Sequence, residues 1–247
     1  MKTVLITGHK GFIGSHLVSY LTGKGYDIIG VDRVEGKEVS ALTEGDIAGV
    51  DCVIHLAAQT SVWNEDYRAI IEDNILAFMH IFDLCRKLGK KFIYASSSCS
   101  VNVTSPYGFS KMFNDMYAKD YGVGLRFHNV YGKNSRKDTL LGICLNSDEI
   151  TLYNNGLNYR HFTYVEDVCE CVERAMNLPN GLYNVVNPIE NSVAEFVDEV
   201  LKYKDLKVVK IPEKRPMDKE RQLIEDGVIN LVERPTTIKR GIELAFK

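Results

Sequence analysis

One run constrains this chain more than any other: Thr7-Gly8-His9-Lys10-Gly11-Phe12-Ile13-Gly14, where glycine recurs at every third residue between two different hydrophobic patterns. Before it stands Val4-Leu5-Ile6, a short all-apolar run that reads as a buried strand. After it, Phe12, Ile13, Leu17, Val18 and Leu21 follow helical spacing. In such a strand–turn–helix the first glycine lets the chain turn tightly. The second lets backbone approach a pyrophosphate, and the third lets the helix pack close on the sheet. The helix start then offers free N–H groups and a positive dipole end to phosphate oxygens.

The same alternation continues. Ile28 to Val31, Cys52 to Leu56, Phe92 to Ala95 and Val123 to Phe127 read as buried strands, and Tyr67 to Leu88 and Tyr107 to Tyr121 as helices. Strands separated by helices imply an α/β fold, a Rossmann-type doubly wound parallel sheet with helices on both faces. Between Arg33 and Asp51, Glu44-Gly45-Asp46-Ile47 could end a strand, but only about four residues would then remain before the strand at Cys52, and a parallel crossover needs about a dozen. A stubby edge strand near Lys37 to Val39 and a short helix from about Ala41 to Ala48, capped by Ser40, are expected there. After Gly132 the pattern loosens into Asn-, Gly- and Pro-punctuated pieces, ending in a helix over Pro235 to Phe246 with its proline near the first turn. The division expected is a dinucleotide-binding domain over 1–132 and a reduced, mixed substrate-binding region over 133–247, with 160–178 packing back onto the first.

Composition removes several functions. Lys+Arg 30 against Asp+Glu 33 leaves −3, which points to neither nucleic acid nor an anionic membrane. No apolar run reaches the roughly 18 residues of a membrane span, and the opening MKTVLITG is too short for a signal peptide. The 6 cysteines show no CxxC pair and no metal-ligand spacing, so a reducing cytoplasm fits better than a disulfide scaffold or a metal site. The basic stretch from Lys202 to Arg221 reads as a solvated face. His55 reads as a packed core histidine, His9 as solvent-facing, and Cys169 and Cys171 as half-buried fillers. Trp63 and Tyr67 either line a cleft or cover the helix that follows.

Two constellations carry chemistry. Asp32 ends the second strand near the expected spacing of about 20 residues for an acid that binds the adenosine ribose hydroxyls. It would repel a 2′-phosphate, so NAD is favoured, and Arg33 alongside keeps NADP as the alternative. The second is Tyr107-x-x-x-Lys111. Chance alone supplies about one Tyr-x-x-x-Lys in a chain with 13 Tyr, and Tyr20/Lys24 and Tyr203/Lys207 also match. Only Tyr107 opens a helix shortly after a buried strand that ends in hydroxyls, Ser96, Ser97 and Ser98. At i and i+4 its side chain shares a face with Lys111, whose charge favours the phenolate. A tyrosine so placed can remove a hydroxyl proton while hydride moves to a nicotinamide.

These segments resemble the extended short-chain dehydrogenase/reductase family, the nucleotide-sugar epimerases and dehydratases. The likeness runs in family order through VLITGHKGFIGSHL (4–17), GVDR (30–33), DCVIHLAAQTSV (51–62), DNILAFMHIF (73–82), FIYASSS (92–98), SPYGFSK (105–111), LRFHNVYG (125–132), RHFTYVEDV (160–168) and YNVVNPIENSVAEF (183–196). The resemblance implies bound NAD(P), which Asp32 narrows to NAD, a catalytic set of Ser97, Tyr107 and Lys111, and a nucleotide-diphosphate sugar as substrate. By the same match Gly8, Gly11, Phe12, Ile13 and Gly14 hold the phosphates, Asp32 and Arg33 flank the ribose, and Leu56, Ala57 and Ala58 lie along the cofactor. Tyr107 and Lys111 also touch the cofactor. Asn129 and Arg160 join Ser97 at the sugar nucleotide, and Arg215 is the counterpart of a second phosphate-side arginine. Family members often dimerise through helices matching 67–88 and 107–121, so a homodimer is expected.

The chain departs from the family in ways that bear on the reaction. It is short, the stretch between Ser97 and Tyr107 lacks the usual longer loop, and Ser98-Cys99 stand where 4,6-dehydratases carry Asp-Glu. A Ser-Ser-Cys run resembles GDP-fucose synthase, but no histidine lies between Gly132 and Arg160 to complete that equipment. The reading that follows is an NAD-dependent nucleotide-sugar epimerase acting at C4 through a transient keto sugar. The alternatives are an NAD(P)H-dependent 4-keto-sugar reductase, a dehydratase, or a non-catalytic dinucleotide-binding regulator.

Overall fold

The computed structural model describes residues 2–215 and 219–247. The first half alternates strand and helix: β1 (Thr3–Thr7), α1 (Phe12–Gly23), β2 (Asp27–Val31), α2 (Glu44–Ala48) and β3 (Cys52–His55). A long helical stretch follows, made of α3 (Tyr67–Ile70), a π-type turn over Ile71–Leu76, and α4 (Ala77–Lys87). Then come β4 (Lys91–Ser97), α5 (Pro106–Tyr117) and β5 (Val123–Phe127). The strands alternate their side chains between two cores, as the pleat requires. Val4, Ile6, Ile54 and Leu125 meet Leu17 and Leu21 of α1 on one face. Leu5, Val53, Phe92 and Tyr94 meet Ile47 of α2 and Phe78, Ile81 and Phe82 of α4 on the other. With both faces covered, β3 and β5 are buried at every position.

The second half is β6 (Val130–Tyr131), α6 (Leu140–Asn146), β7 (Glu149–Leu152), β8 (Tyr159–Arg160), β9 (Thr163–Tyr164), α7 (Val165–Ala175) and β10 (Gly181–Val185). After them come β11 (Asn191–Ser192), α8 (Val193–Val200), β12 (Lys207–Lys210) and α9 (Ile238–Ala245). α7 lies against α1, where the Tyr20 hydroxyl donates to Glu173 at 2.8 Å. β10 returns to the first half and pairs parallel with β5, Gly181 opposite Val123 and Val185 opposite Phe127. The sheet order is β10-β5-β4-β3-β1-β2. The remaining pieces enclose a third core, in which Leu141 and Cys144 of α6, Phe196 and Val200 of α8 and Ile242 of α9 meet Ile150 and Leu152 of β7. Among the described residues, no helix is long and apolar enough to cross a membrane.

Several local expectations change. Lys37 to Val39 forms no strand. Asp32 caps a 3-10 turn over Arg33–Glu35 that ends at Gly36 in the left-handed region (φ 75°), so the chain leaves the sheet edge. Val39, Leu42 and Ile47 pack under α4 instead. The short helix starts at Glu44, not Ala41, because Thr43 and Asp46 close a capping box, with the Thr43 N–H donating to Asp46 at 2.9 Å. The last helix begins at Ile238 under the Thr237 cap, leaving Pro235 outside it. Cys169 and Cys171 are fully buried rather than half-buried. His9 is not solvent-facing: its side chain is 11% exposed and its Nε2 lies 3.2 Å from Glu35. Its ring covers Gly30, where a Cβ would sit 2.5 Å from Nε2.

β1 has β2 on one side and β3 on the other, so the order reverses across β1. Thr7 is level with both Val31 and His55, which brings the carboxyl ends of all three strands to one rim. The crevice outside such a switch point is where open α/β sheets bind ligands.

Candidate active site

A cleft of about 1400 Å³ opens along that rim and continues to the annex. It is larger than the roughly 300–1,000 Å³ that one small ligand occupies, as a site for two ligands would be. At one end lies the glycine run. Gly8 sits at φ +71°, and a Cβ there would come within 2.7 Å of the Ala57 backbone nitrogen. At Gly14 a Cβ would lie 2.1 Å from the Gly8 carbonyl oxygen. The turn is thus packed backbone against backbone, tighter than any side chain permits. Gly11 is the N-cap of α1 and has no side chain to cap it. The first-turn N–H groups at Phe12 and Ile13 therefore face a cleft with a helix dipole behind them. A pyrophosphate fits this cradle in shape and charge.

Asp32 and Arg33 line the adjacent rim. The Asp32 carboxylate accepts from the Lys10 N–H at 3.0 Å and the Val34 N–H at 3.2 Å, which ties the glycine turn to the end of β2. Leu56, Ala57 and Ala58 form the facing wall after β3. That wall is held from below. The Ala57 N–H donates to the Thr7 hydroxyl at 3.3 Å, and the same hydroxyl bonds Nδ1 of His55 at 2.8 Å. Burial pushes the His55 imidazole down to about 3, and the Lys111 charge adds to this, so the ring is neutral.

The middle of the cleft holds Ser97, Tyr107 and Lys111. Ser97 ends β4, and its hydroxyl oxygen accepts the Cys99 N–H at 3.2 Å. Ser105 caps α5 with Pro106 in its first turn, so Tyr107 opens the helix and Lys111 follows one turn later. Lys111 is 3% exposed and donates to the Ala95 carbonyl at 2.8 Å. Its ammonium lies 5.8 Å from the centroid of the Tyr107 ring. Burial pushes Lys111 down to about 8 while Asp115 holds it up, so it keeps its proton at neutral pH. Burial pushes the Tyr107 phenol up to about 12, and the hydrogen bond with Ser97 and the Arg136 guanidinium pull it down. Arg136 is a cation acting on the phenol that no sequence pattern singled out. Arg136 donates to the Thr60 hydroxyl and to Asp138, the latter at 3.0 Å.

Helix α5 is fixed by a buried polar cluster. Asp115, 5% exposed, accepts from the Tyr94 hydroxyl at 3.2 Å, the Ser100 hydroxyl at 2.9 Å and Arg126 at 3.1 Å. Arg126 also pairs with Glu225, which joins the C-terminal segment to β5.

Asn129, Arg160 and Arg215 line the annex end. Asn129 sits at φ 31° and its side-chain amide donates to Gln222. Arg160 donates to the Tyr159 carbonyl at 2.7 Å. The Arg215 guanidinium stacks 4.4 Å from the centre of the Tyr153 ring. Trp63 lines the cleft while remaining half-exposed. All the catalytic, cofactor and substrate residues expected from the sequence thus line one cleft, whereas Tyr67 is exposed and does not line it. Sequence reasoning missed Gln59, Thr60, Cys99, Arg136, Lys219 and Gln222, which line it too. The basic stretch is not merely a solvated face, since Arg215 and Lys219 line the cleft and Lys219 donates to the Asn102 carbonyl at 2.9 Å. Pro216, Met217 and Asp218 within it lie outside the described residues.

A glycine-cradled anion site, a strand-end carboxylate and a Ser/Tyr/Lys group in one crevice define a dinucleotide-binding α/β enzyme. The chain belongs to the NAD dependent epimerase/dehydratase family, whose model matches residues 4–187, and NAD is its cofactor. It is 29% identical to Protein CapI of Staphylococcus aureus, over 93% of this chain and 97% of that protein. That alignment runs to 324 positions against the 247 residues present here, so CapI carries insertions that this chain lacks. The chain is 28% identical to the "Uncharacterized UDP-glucose epimerase YtcB" of Bacillus subtilis, over 74% of this chain and 75% of that one. Among solved structures it is similar to TunA, a NAD dependent NDP-hexosamine 5,6-dehydratase, at 25% identity and a TM-score of 0.87, covering 100% of this chain and 97% of TunA.

Proposed function

We propose that the chain is a nucleotide-sugar epimerase acting at C4 through a transient keto sugar. The observation that carries this reading is the meeting of Ser97, Tyr107 and Lys111 beside the glycine cradle, in a cleft that continues to Asn129, Arg160 and Arg215. Gly8, Gly11, Phe12, Ile13 and Gly14 hold the pyrophosphate of NAD, with Asp32 and Arg33 at its adenosine end and Leu56, Ala57 and Ala58 along its length. When bound, NAD supplies a reversible acceptor for the hydride at C4. Ser97 holds the C4 oxygen, and Tyr107 takes its proton and later returns it. Lys111 keeps a positive charge under the tyrosine, and Arg136 adds a second. Asn129, Arg160 and Arg215 hold the nucleotide diphosphate. The keto sugar turns within the cleft and is reduced on its other face.

A dehydratase is the second reading, favoured by the likeness to TunA. Against it stand Ser98 and Cys99, which offer no carboxylate pair for elimination. The partner we propose is a second copy of the chain. On α5, Phe109, Met112, Phe113 and Met116 follow helical spacing, and Phe109 (49%) and Met116 (69%) are exposed; Ile71 (48%) is exposed on the neighbouring helical stretch. An apolar patch of this kind marks an association surface. The 6 free cysteines agree with a cytoplasmic location.

The deciding experiment incubates the protein with UDP-, GDP-, dTDP- and CDP-sugars and sub-stoichiometric NAD, with products read by NMR. An epimer formed without net cofactor change supports the proposal. Stoichiometric oxidation of NAD(P)H would assign a reductase, and loss of water from the sugar a dehydratase. NAD binding without turnover of any sugar would leave the regulator.

A further inference from the structure

Arg33 follows directly on Asp32 at the adenosine end of the cleft, where a free guanidinium would be the natural partner of a 2′-phosphate. It is not free. Its Nη2 lies 2.7 Å from Asp73 and 3.3 Å from Glu38. Asp73 is the better anchored of the two carboxylates, its side chain 21% exposed against 52% for Glu38. Its second oxygen accepts from the Gln59 side chain at 2.7 Å. Its neighbour Asn74, 1% exposed, is bonded both ways to the Gln59 backbone, at 2.7 Å and 2.9 Å. The Asp73 carboxylate is therefore held by the π-type turn and by the segment that follows β3, while the Arg33 side chain paired with it is 50% exposed. The other cations on this rim are matched as well: Lys10 lies 2.7 Å from Glu35, and Lys37 lies 3.7 Å from Asp46.

We propose that Asp73 is a cofactor-specificity residue: by closing Arg33 into a fixed ion pair it denies a 2′-phosphate the guanidinium beside Asp32. NAD lacks the 2′-phosphate that this guanidinium would pair with, and Arg33 can flank the adenosine end while it stays paired with Asp73. NADP must break it or bind without it, and meets the Asp32 and Asp73 charges together. Discrimination between the two cofactors then has two sources, the acid at the end of β2 and a lock on the base next to it.

The test is calorimetric titration of the full-length protein with NAD and with NADP, without substrate, so that turnover plays no part. Asp73→Asn keeps the shape and removes the charge. It should tighten NADP binding about tenfold, the worth of one charge-assisted hydrogen bond, and leave NAD within about twofold. The gain should vanish in the double variant with Arg33→Gln, and should shrink in high salt. Asp73→Ser, which removes the same charge with a smaller side chain, should give the same result if the asparagine variant folds poorly. Unchanged NADP affinity in both variants, equal weakening of both cofactors, or a gain that persists without Arg33 would each overturn the proposal. So would wild-type protein that binds NADP as tightly as NAD.

Discussion

Substituting Gly14 by alanine tests the cradle where its geometry is most demanding. The new Cβ would lie 2.1 Å from the Gly8 oxygen, 2.8 Å from the His9 Cα and 2.9 Å from the Gly8 carbonyl carbon. All three are backbone atoms, so no side chain can swing aside. The start of α1 must retreat by about 1 Å to restore ordinary contact distances. Overpacking of this kind costs ~1–3 kcal/mol, and the upper end applies where only backbone can yield. Alanine recovers ~1 kcal/mol through its higher helix propensity. A net loss of ~2 kcal/mol follows, or a melting temperature lower by about 4–8 °C for a chain of this size. The same retreat moves the first-turn N–H groups from the pyrophosphate, so NAD affinity should fall about 10–100-fold. Gly23→Ala is the control. It lies in the same helix, nothing stands within 4 Å of its Cβ position, and it should raise the melting temperature by about 2–4 °C with NAD binding unchanged. The readouts are thermal unfolding without NAD and calorimetric titration with it. If Gly14→Ala melts and binds NAD like the wild type, the argument from close backbone approach is wrong.

Tyr107→Phe should retain NAD binding and lose turnover about 10²–10⁴-fold, whereas Tyr20→Phe and Tyr203→Phe, the two chance matches, should stay near wild type in a steady-state assay. Lys111 is held down from 10.5 to about 8 by burial, so between those values the unfolded chain binds a proton that the folded chain does not. Its contribution to stability therefore rises with pH across that window, and the stability of Lys111→Met relative to wild type should fall from pH 8 to pH 10.5 in urea titrations; a flat difference would contradict the shift. The double variant Phe109→Glu, Met116→Glu should sediment as a monomer at concentrations where the wild type is a dimer, and a wild-type monomer would remove that interface.

How much of this could be read beforehand depended on whether the cause was local. The glycine run, the apolar strands and the Tyr107–Lys111 pair carry their meaning within a few residues, and their elements form close to where spacing puts them. The segment after Asp32 misled because Ser40 and Thr43 are both good caps. What decides between them is Asp46 three residues after Thr43, together with the fit of Val39 and Leu42 beneath α4. Helix α5 ends at Tyr117 rather than Tyr121, because Ala118 begins the turn that leads into β5. Arg136 and Lys219 were invisible for another reason. Nothing in their own neighbourhoods distinguishes a cation that faces a cleft from one that faces water, and only the packing of distant segments brings them to the cleft. His9 is another such case, its ring covering the surface that Gly30 leaves bare on the next strand.

The return of β10 to the sheet also governs how the chain can be cut. Phe127 and its neighbours on β5 find their last hydrogen-bonding partners at Gly181–Val185, on the far side of the annex. A protein ended after Gly132 would keep every strand of the alternating pattern and still present β5 as a naked edge, its backbone donors and acceptors unpaired over a stretch that is otherwise wholly buried. Such an edge recruits other chains. Ribosomal synthesis passes through this state before the annex emerges. The nascent chain therefore carries a self-adhesive margin until its sixth strand arrives, and a fragment made without that strand should gather into aggregates rather than bind NAD.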